Sequence, residues 1–280
     1  MRTPLYALLG LSLVPGLAAA KPAAKAPAAG KPGAVCGEKV LPLAVGNVWT
    51  YTTVAAPTPA LPDVARIAPL PPKTFTITVK SIDTKGPDTV VSLEEKITYE
   101  LAPSGNKKPQ LDDRIVHSTI TCNAKKFDIS PDSFFFAGEP GGYQALTFDK
   151  FDRKGTSWAL PNQGSFGETE WPEDIVAHWQ QDATKESGAK LNSGKLELER
   201  RTTPSDAEAI VTKAGSYKAE KLVIKTTGRV TLDSPKSKDL KPAEMPADWV
   251  NQLWFAPDYG VVQSLNRYAH MYQLVDSQLK

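Results

Sequence analysis

The sequence predicts a mainly β protein: a curved antiparallel sheet or half-barrel with one covering α-helix and a long proline-rich loop. From residue 48 onward apolar side chains recur with period two far more often than with the 3.6-residue period of a helix. Phe75, Ile77 and Val79, for example, alternate with Thr74, Thr76, Thr78 and Lys80, which describes a strand with one buried face. Turn-forming clusters punctuate these runs at Lys85-Gly86-Pro87, Pro103 to Asn106, Gly138 to Gly142, Ala214-Gly215 and Pro257 to Gly260. Connections this short favour antiparallel hairpins and meanders.

Taken in chain order, residues 1–20 read as a secretory signal peptide. Arg2 precedes an apolar stretch from Leu5 to Leu17, and Ala18-Ala19-Ala20 supply the small residues expected before a cut at Lys21. The apolar run is short of the roughly 20 residues needed to span a bilayer core, and no later segment is long and uncharged enough to span one. The mature chain is therefore expected to be exported, to the periplasm or beyond the cell, without a transmembrane segment. A lipid anchor on Cys36 is the weaker alternative, since Gly33-Ala34-Val35-Cys36 lies well past the apolar region that a lipoprotein signal would abut. Residues 21–34 hold only Lys, Pro, Ala and Gly, so nothing there offsets the entropy of ordering, and they read as a disordered leader. Residues 35–280 read as a single β-rich domain, with a second small lobe near 130–190 left open.

Within that domain the period-two runs place strands at 48–54, 73–82, 88–100, 111–122, 145–151, 194–203, 208–213, 217–232, 250–256 and 260–274. Residues 55–72 contain six prolines, which suits an extended surface loop. The one helical reading starts at Pro172. Glu173 and Asp174 would complement the positive end of its dipole, Ile175, Val176, Trp179 and Ala183 would form its apolar stripe, and Gly188 would end it.

Composition narrows the function. The chain's formal net charge is +2, and Arg2, Lys21, Lys25 and Lys31 carry four of the positive charges, so residues 35–280 stand at −2. A nearly neutral domain lacks the basic field that a phosphate backbone demands, so nucleic acid is not an expected partner. Cys36 and Cys122 are the only cysteines, and in an oxidising compartment they read as one disulfide; two buried thiols are the alternative.

Catalytic and metal patterns are sparse. Asp174, His178 and Asp182 are spaced four residues apart and would share one side of the expected helix, as a metal site, an oriented base or a plain polar face. The last reading needs no further residues, and the other two lack partners nearby in sequence. His117 and His270 fall inside strand patterns. Asp149, Asp152 and Gly155 lack the spacing and terminal acid of a calcium loop. The pairs Glu94 with Glu95 and Asp112 with Asp113 would point to opposite sides of their strands, the wrong arrangement for facing carboxylates. No nucleophile elbow or nucleotide-binding fingerprint occurs, so the chain reads as non-enzymatic and without a cofactor. Phe134, Phe135 and Phe136, with Trp158, Trp171 and Trp179, concentrate aromatics mid-chain, as core or as a binding platform.

Three segments carry a resemblance. Leu41 to Tyr51 resembles the opening strand of a group of uncharacterised bacterial envelope proteins. Val211 to Leu222 resembles their central hairpin, and Trp254 to Val262 their closing one. More distantly, that group is similar to the lipoprotein-carrier (LolA-like) half-barrel, a curved sheet with a helix in its mouth and an acyl chain inside. The resemblance implies a fold rather than a chemistry, because turn residues and sheet anchors such as Gly215, Gly260, Trp49, Tyr217 and Trp254 account for the motifs. It supplies the leading expectation, that the half-barrel holds a lipid or other apolar ligand. Phe75, Ile77, Val79, Leu222 and Ile224 would line the sheet side, and Ile175, Val176 and Trp179 would close it from the helix. The alternative is an envelope interaction or structural module with a filled core and no small ligand, and the third reading is a hydrolase with no recognisable motif.

Overall fold

A computed structural model describes residues 39–58, 68–103, 108–123, 126–142, 146–155, 166–167, 169–181, 193–233 and 243–280. The signal segment, the leader and Cys36 lie outside the described residues. The fold is mainly β: twelve antiparallel strands form one curved, unclosed sheet. They are β1 (Val48–Val54), β2 (Thr74–Lys85), β3 (Asp88–Leu101), β4 (Gln110–Asn123), β5 (Lys126–Ile129), β6 (Leu146–Gly155), β7 (Trp171–Gln181), β8 (Ser193–Val211), β9 (Ser216–Leu232), β10 (Ala243–Ala256), β11 (Gly260–Leu265) and β12 (Met271–Gln278). Among the described residues there is a single helix, α1 (Phe134–Ala137).

The order across the sheet is β5-β4-β3-β2-β1-β12-β11-β10-β9-β8-β7-β6. Every consecutive pair of strands is therefore joined edge to edge except β5 and β6, which form the two free edges. The first and last strands meet mid-sheet, with Val48 opposite Gln278 and Val54 opposite Met271. The sheet is a ring of hairpins opened at one seam, and the connection that leaves the seam unpaired carries α1. Residues expected in a second lobe near 130–190 include β6 and β7, which extend this same sheet.

The expected helix at Pro172 is a strand. Trp171, Glu173, Ile175, Ala177 and Trp179 are buried in strict alternation, while Pro172, Asp174, His178 and Gln180 are exposed. Two features hid that alternation. Glu173 occupies an inward position, and Pro172 looked like a helix start. Proline is tolerated in strands where one neighbour is missing. At Pro172 the β6 ladder has already ended, at Gly155 opposite Glu173. The same reason admits Pro204 beyond the last β7 partner, Thr202, and Pro246 before β11 joins β10 at Gln252.

Other boundaries shift less. The two expected strands at 194–203 and 208–213 are one 19-residue strand, with its register irregularity between Ser205 and Ala207. The run at 260–274 is divided into β11 and β12 by a turn at Asn266. In the proline-rich segment, residues 55–58 and 68–73 lie outside regular structure, and 59–67 lie outside the described residues.

Cys122 is buried on the concave side of β4 beside Phe127, and no free cysteine occurs among the described residues. With Cys36 undescribed, the bridge stands as a proposal. Exported protein, denatured without reductant, is expected to titrate no thiol, and Cys122→Ser is expected to lower the thermal midpoint by several degrees. Two titrating thiols would end the idea.

Candidate functional site

The concave face gathers an aromatic core: Trp49 and Tyr51 from β1, Phe75 from β2, Phe255 from β10 and Tyr272 from β12. Into it the β5–β6 connection inserts Phe134, Phe135 and Phe136, all fully or almost fully buried. Phe134 packs 4.9 Å from both Tyr51 and Phe75, ring centre to ring centre, and Phe135 lies edge-on to Trp49 at 5.6 Å. The segment is short because it is capped at once. Ser133 Oγ accepts the Phe135 N–H, and the Gly138 N–H closes on Phe134 O with φ of 70°. A Cβ at Gly138 would run into Ser264 Oγ and Leu253, so this position demands glycine. This segment is the plug of the half-barrel. The sequence signal for it was the Ser133 to Gly138 bracket around three phenylalanines.

A ring of side chains pins the plug through its backbone. Glu95 on β3 is wholly buried, and its two oxygens accept the Phe134 N–H at 2.7 Å and the Gly141 N–H at 2.8 Å. Burial pushes its pKa up to about 7, against the opposing pull of those two N–H groups and of Ser133. Arg200 on β8 donates to Phe136 O at 2.8 Å and stacks its guanidinium 4.0 Å over the Phe136 ring. Asn251 donates to Ala137 O, and Ser264 Oγ donates to Gly138 O, each at 2.8 Å. Glu139, raised by burial and held down in part by Arg267, forms an ion pair with the Arg267 guanidinium at 3.1 Å.

The seam is bridged by ions instead of a ladder. Arg153 on β6 pairs with Asp128 on β5, donates to Ile129 O at 3.1 Å, and pairs with Glu173, which also meets Arg200 at 3.2 Å. A polar groove of about 780 Å³ follows this seam between Thr119, Asp128, Ser130, Arg153 and Lys154.

The expected ligand-lining residues separate. Phe75, Ile77, Val79, Leu222 and Ile224 do face the concavity, but as fully buried core, with Phe75 directly against the plug. Ile175 points inward and Val176 outward, both beside a groove of about 560 Å³ that also touches Asp174, Glu197 and Glu199. Neither lies on a helix. Only Trp179 reaches an open apolar space on the concave side. That hollow, of about 230 Å³, is walled by Trp179, Leu196, Leu198, Val230, Leu232, Met245, Trp249 and Arg267. The Trp179 indole N–H is buried without an acceptor. Sequence reading missed the other seven because Leu196, Val230 and Met245 lie on three different strands that only the register brings side by side.

The candidate chemical groups do not converge. Asp174 and His178 share the exposed face of β7, and Asp182 lies outside the described residues. His117 is exposed on β4, and His270 is half-buried with its pKa lowered by that burial. Glu95 is the buried acid of the Glu94–Glu95 pair, a role the alternation argument foresaw only as an orientation. Among the described residues no group of three His, Cys, Asp or Glu side chains is placed to hold a metal, and no helix is long and apolar enough to cross a membrane.

No protein-family model and no curated protein matches the chain. Two solved structures are similar over most of their length. One is a "putative lipoprotein" from Parabacteroides distasonis, with TM-score 0.41, 13% identity, and 87% of this chain and 99% of that chain covered. The other is a "putative exported protein with YmcC-like fold" from Bacteroides fragilis, with TM-score 0.40, 11% identity, and 86% and 99% covered. Likeness at this level carries no argument about ligand or activity.

Proposed function

We propose that the protein is an exported, non-enzymatic β protein of the bacterial envelope that holds an apolar ligand in the part of its half-barrel left open by the plug. The observation that carries this reading is the hollow beside Trp179 and Trp249: seven of its eight wall residues are apolar, and Met245 in its rim is 44% exposed. Large apolar side chains left open on a concave face mark ligand sites. Residues 1–20 supply the address and 21–34 the tether. The non-enzymatic reading is supported by Glu95, an acid whose pKa burial raises to about 7. It is 0% exposed and both of its oxygens are taken by plug amides, which leaves a substrate no approach.

A second reading, an envelope interaction module with a filled core and no small ligand, is favoured by the plug itself, which occupies the centre of the concavity. Protein exported from a bacterial host separates the two. Its mature N-terminus is expected at Lys21, and solvent extraction with mass spectrometry is expected to release an apolar molecule that the folded variant Val230→Asp no longer carries. A retained signal or a diacylglyceryl group on Cys36 would defeat soluble export. Protein that is empty and indifferent to apolar fluorescent probes would establish the filled module instead.

A further inference from the structure

The hollow is apolar on seven sides and cationic on the eighth. Arg267 follows β11, and its guanidinium stacks 4.7 Å over the Trp249 ring and 4.8 Å over the Tyr268 ring, so its position is set by two aromatic faces. Its carboxylate partner is Glu139, reached at 3.1 Å. That partner is a reluctant anion, because burial raises the Glu139 pKa more than Arg267 lowers it. An arginine held against an apolar pocket, facing a carboxyl that burial inclines toward its neutral form, offers a site to an incoming anion. A guanidinium suits this because it is weakly hydrated and takes carboxylate or phosphate oxygens in a planar fork.

Size limits the rest of the molecule. About 230 Å³ is below the roughly 300 to 1,000 Å³ of pockets that take drug-sized ligands, so the space admits one chain and excludes a pair. The seven apolar wall residues lie on β7, β8, β9 and β10, across the strands, and Arg267 joins them from the β11–β12 turn.

We propose that this hollow binds a single-chain anionic amphiphile, its hydrocarbon laid against Leu196, Leu198, Val230 and Leu232 and its head on Arg267. The proposal rests on the apolar-binding reading above and adds chain number and head charge to it. Titration calorimetry of the full mature chain with dodecanoate, dodecanol and dodecyltrimethylammonium tests it. Dodecanoate is expected to bind on the order of tenfold more tightly than dodecanol, the worth of one charge-assisted hydrogen bond, and the ammonium to bind weakest. Arg267→Gln is expected to erase the preference for dodecanoate over dodecanol, bringing the two affinities together. Val230→Trp, which fills the hollow, is expected to abolish both. The wild-type comparison alone decides the head group, so the test survives a variant that does not fold. Equal affinities for dodecanoate and dodecanol would overturn the anionic head while leaving apolar binding in place. Binding of none of the three would overturn the proposal together with the reading beneath it.

Discussion

Phe134→Ala is expected to destabilise the protein by about 3 to 5 kcal/mol, the usual cost of deleting a buried phenylalanine. The ring is 0% exposed and is surrounded by other rings: Tyr51, Phe75, Phe135 and Tyr272 all lie within 6.4 Å of its centre. Apart from Phe135 in the plug itself, those neighbours come from β1, β2 and β12 at the middle of the sheet, and Tyr51 is tied down by donating to Val261 O at 2.7 Å. Such a site cannot collapse around a lost ring, so the cavity term remains. Urea unfolding of the mature, oxidised chain measures the effect, with Phe134→Leu as a control expected to cost less than half as much. A loss below about 1 kcal/mol for the alanine variant would mean that the plug is not part of the core. The half-barrel would then be open at its centre.

The sequence made the sheet readable wherever one face of a strand was mostly apolar. Period two located β1, β2, β3, β4 and β9 within a few residues, because Trp49, Tyr51, Phe75, Ile77, Val79, Leu93 and Leu222 all point inward without exception. A lone inward acid did not hide β3, where Glu95 sits between Leu93 and Ile97, but on β7 the inward acid directly follows a proline. Glu173 on β7 breaks the apolar alternation, and Ile175, Val176 and Trp179 then fit the spacing of a helical stripe. What makes Glu173 tolerable inside is Arg200, 3% exposed, and Arg153 across the seam, and neither partner is adjacent in sequence. Buried charge is stable only when paired, and pairs of this separation leave no local mark. The plug was missed for a related reason. Its covering role depends on β5 and β6 being the two free edges, which is a property of the whole strand order.

Site legibility followed the same division. Phe75, Ile77, Val79, Leu222 and Ile224 are buried on the concave side, since facing follows from alternation alone. Whether a concave residue meets ligand or plug follows from what the β5–β6 connection brings, and nothing in the strands themselves encodes that. Trp179 is the one expected lining residue at the open hollow. It was assigned there on a helical argument that the structure replaces with a strand.

The titration of Glu95 gives the second large effect. Its carboxyl is raised from an ordinary 4.5 to about 7 in the folded protein. Between those values the folded state binds the proton and the unfolded state does not, so stability falls as pH rises through the window. The loss amounts to on the order of 3 kcal/mol between about pH 4.5 and pH 7, and it levels off above that. Glu139, also raised by burial, acts in the same direction, while His270, lowered by burial, acts in the opposite one. Absolute pH profiles therefore mix several groups, and the difference between wild type and Glu95→Gln isolates one. The glutamine keeps the side chain's length, stays neutral throughout, and presents one acceptor where the carboxylate presents two. Its stability is expected to start below wild type at pH 5 and to close on it by pH 8, as the wild-type carboxyl ionises without a cation beside it. Urea midpoints across that range measure the gap. Parallel curves for the two proteins would show that Glu95 keeps an ordinary pKa, with the two plug amides sufficient to hold its charge in the core.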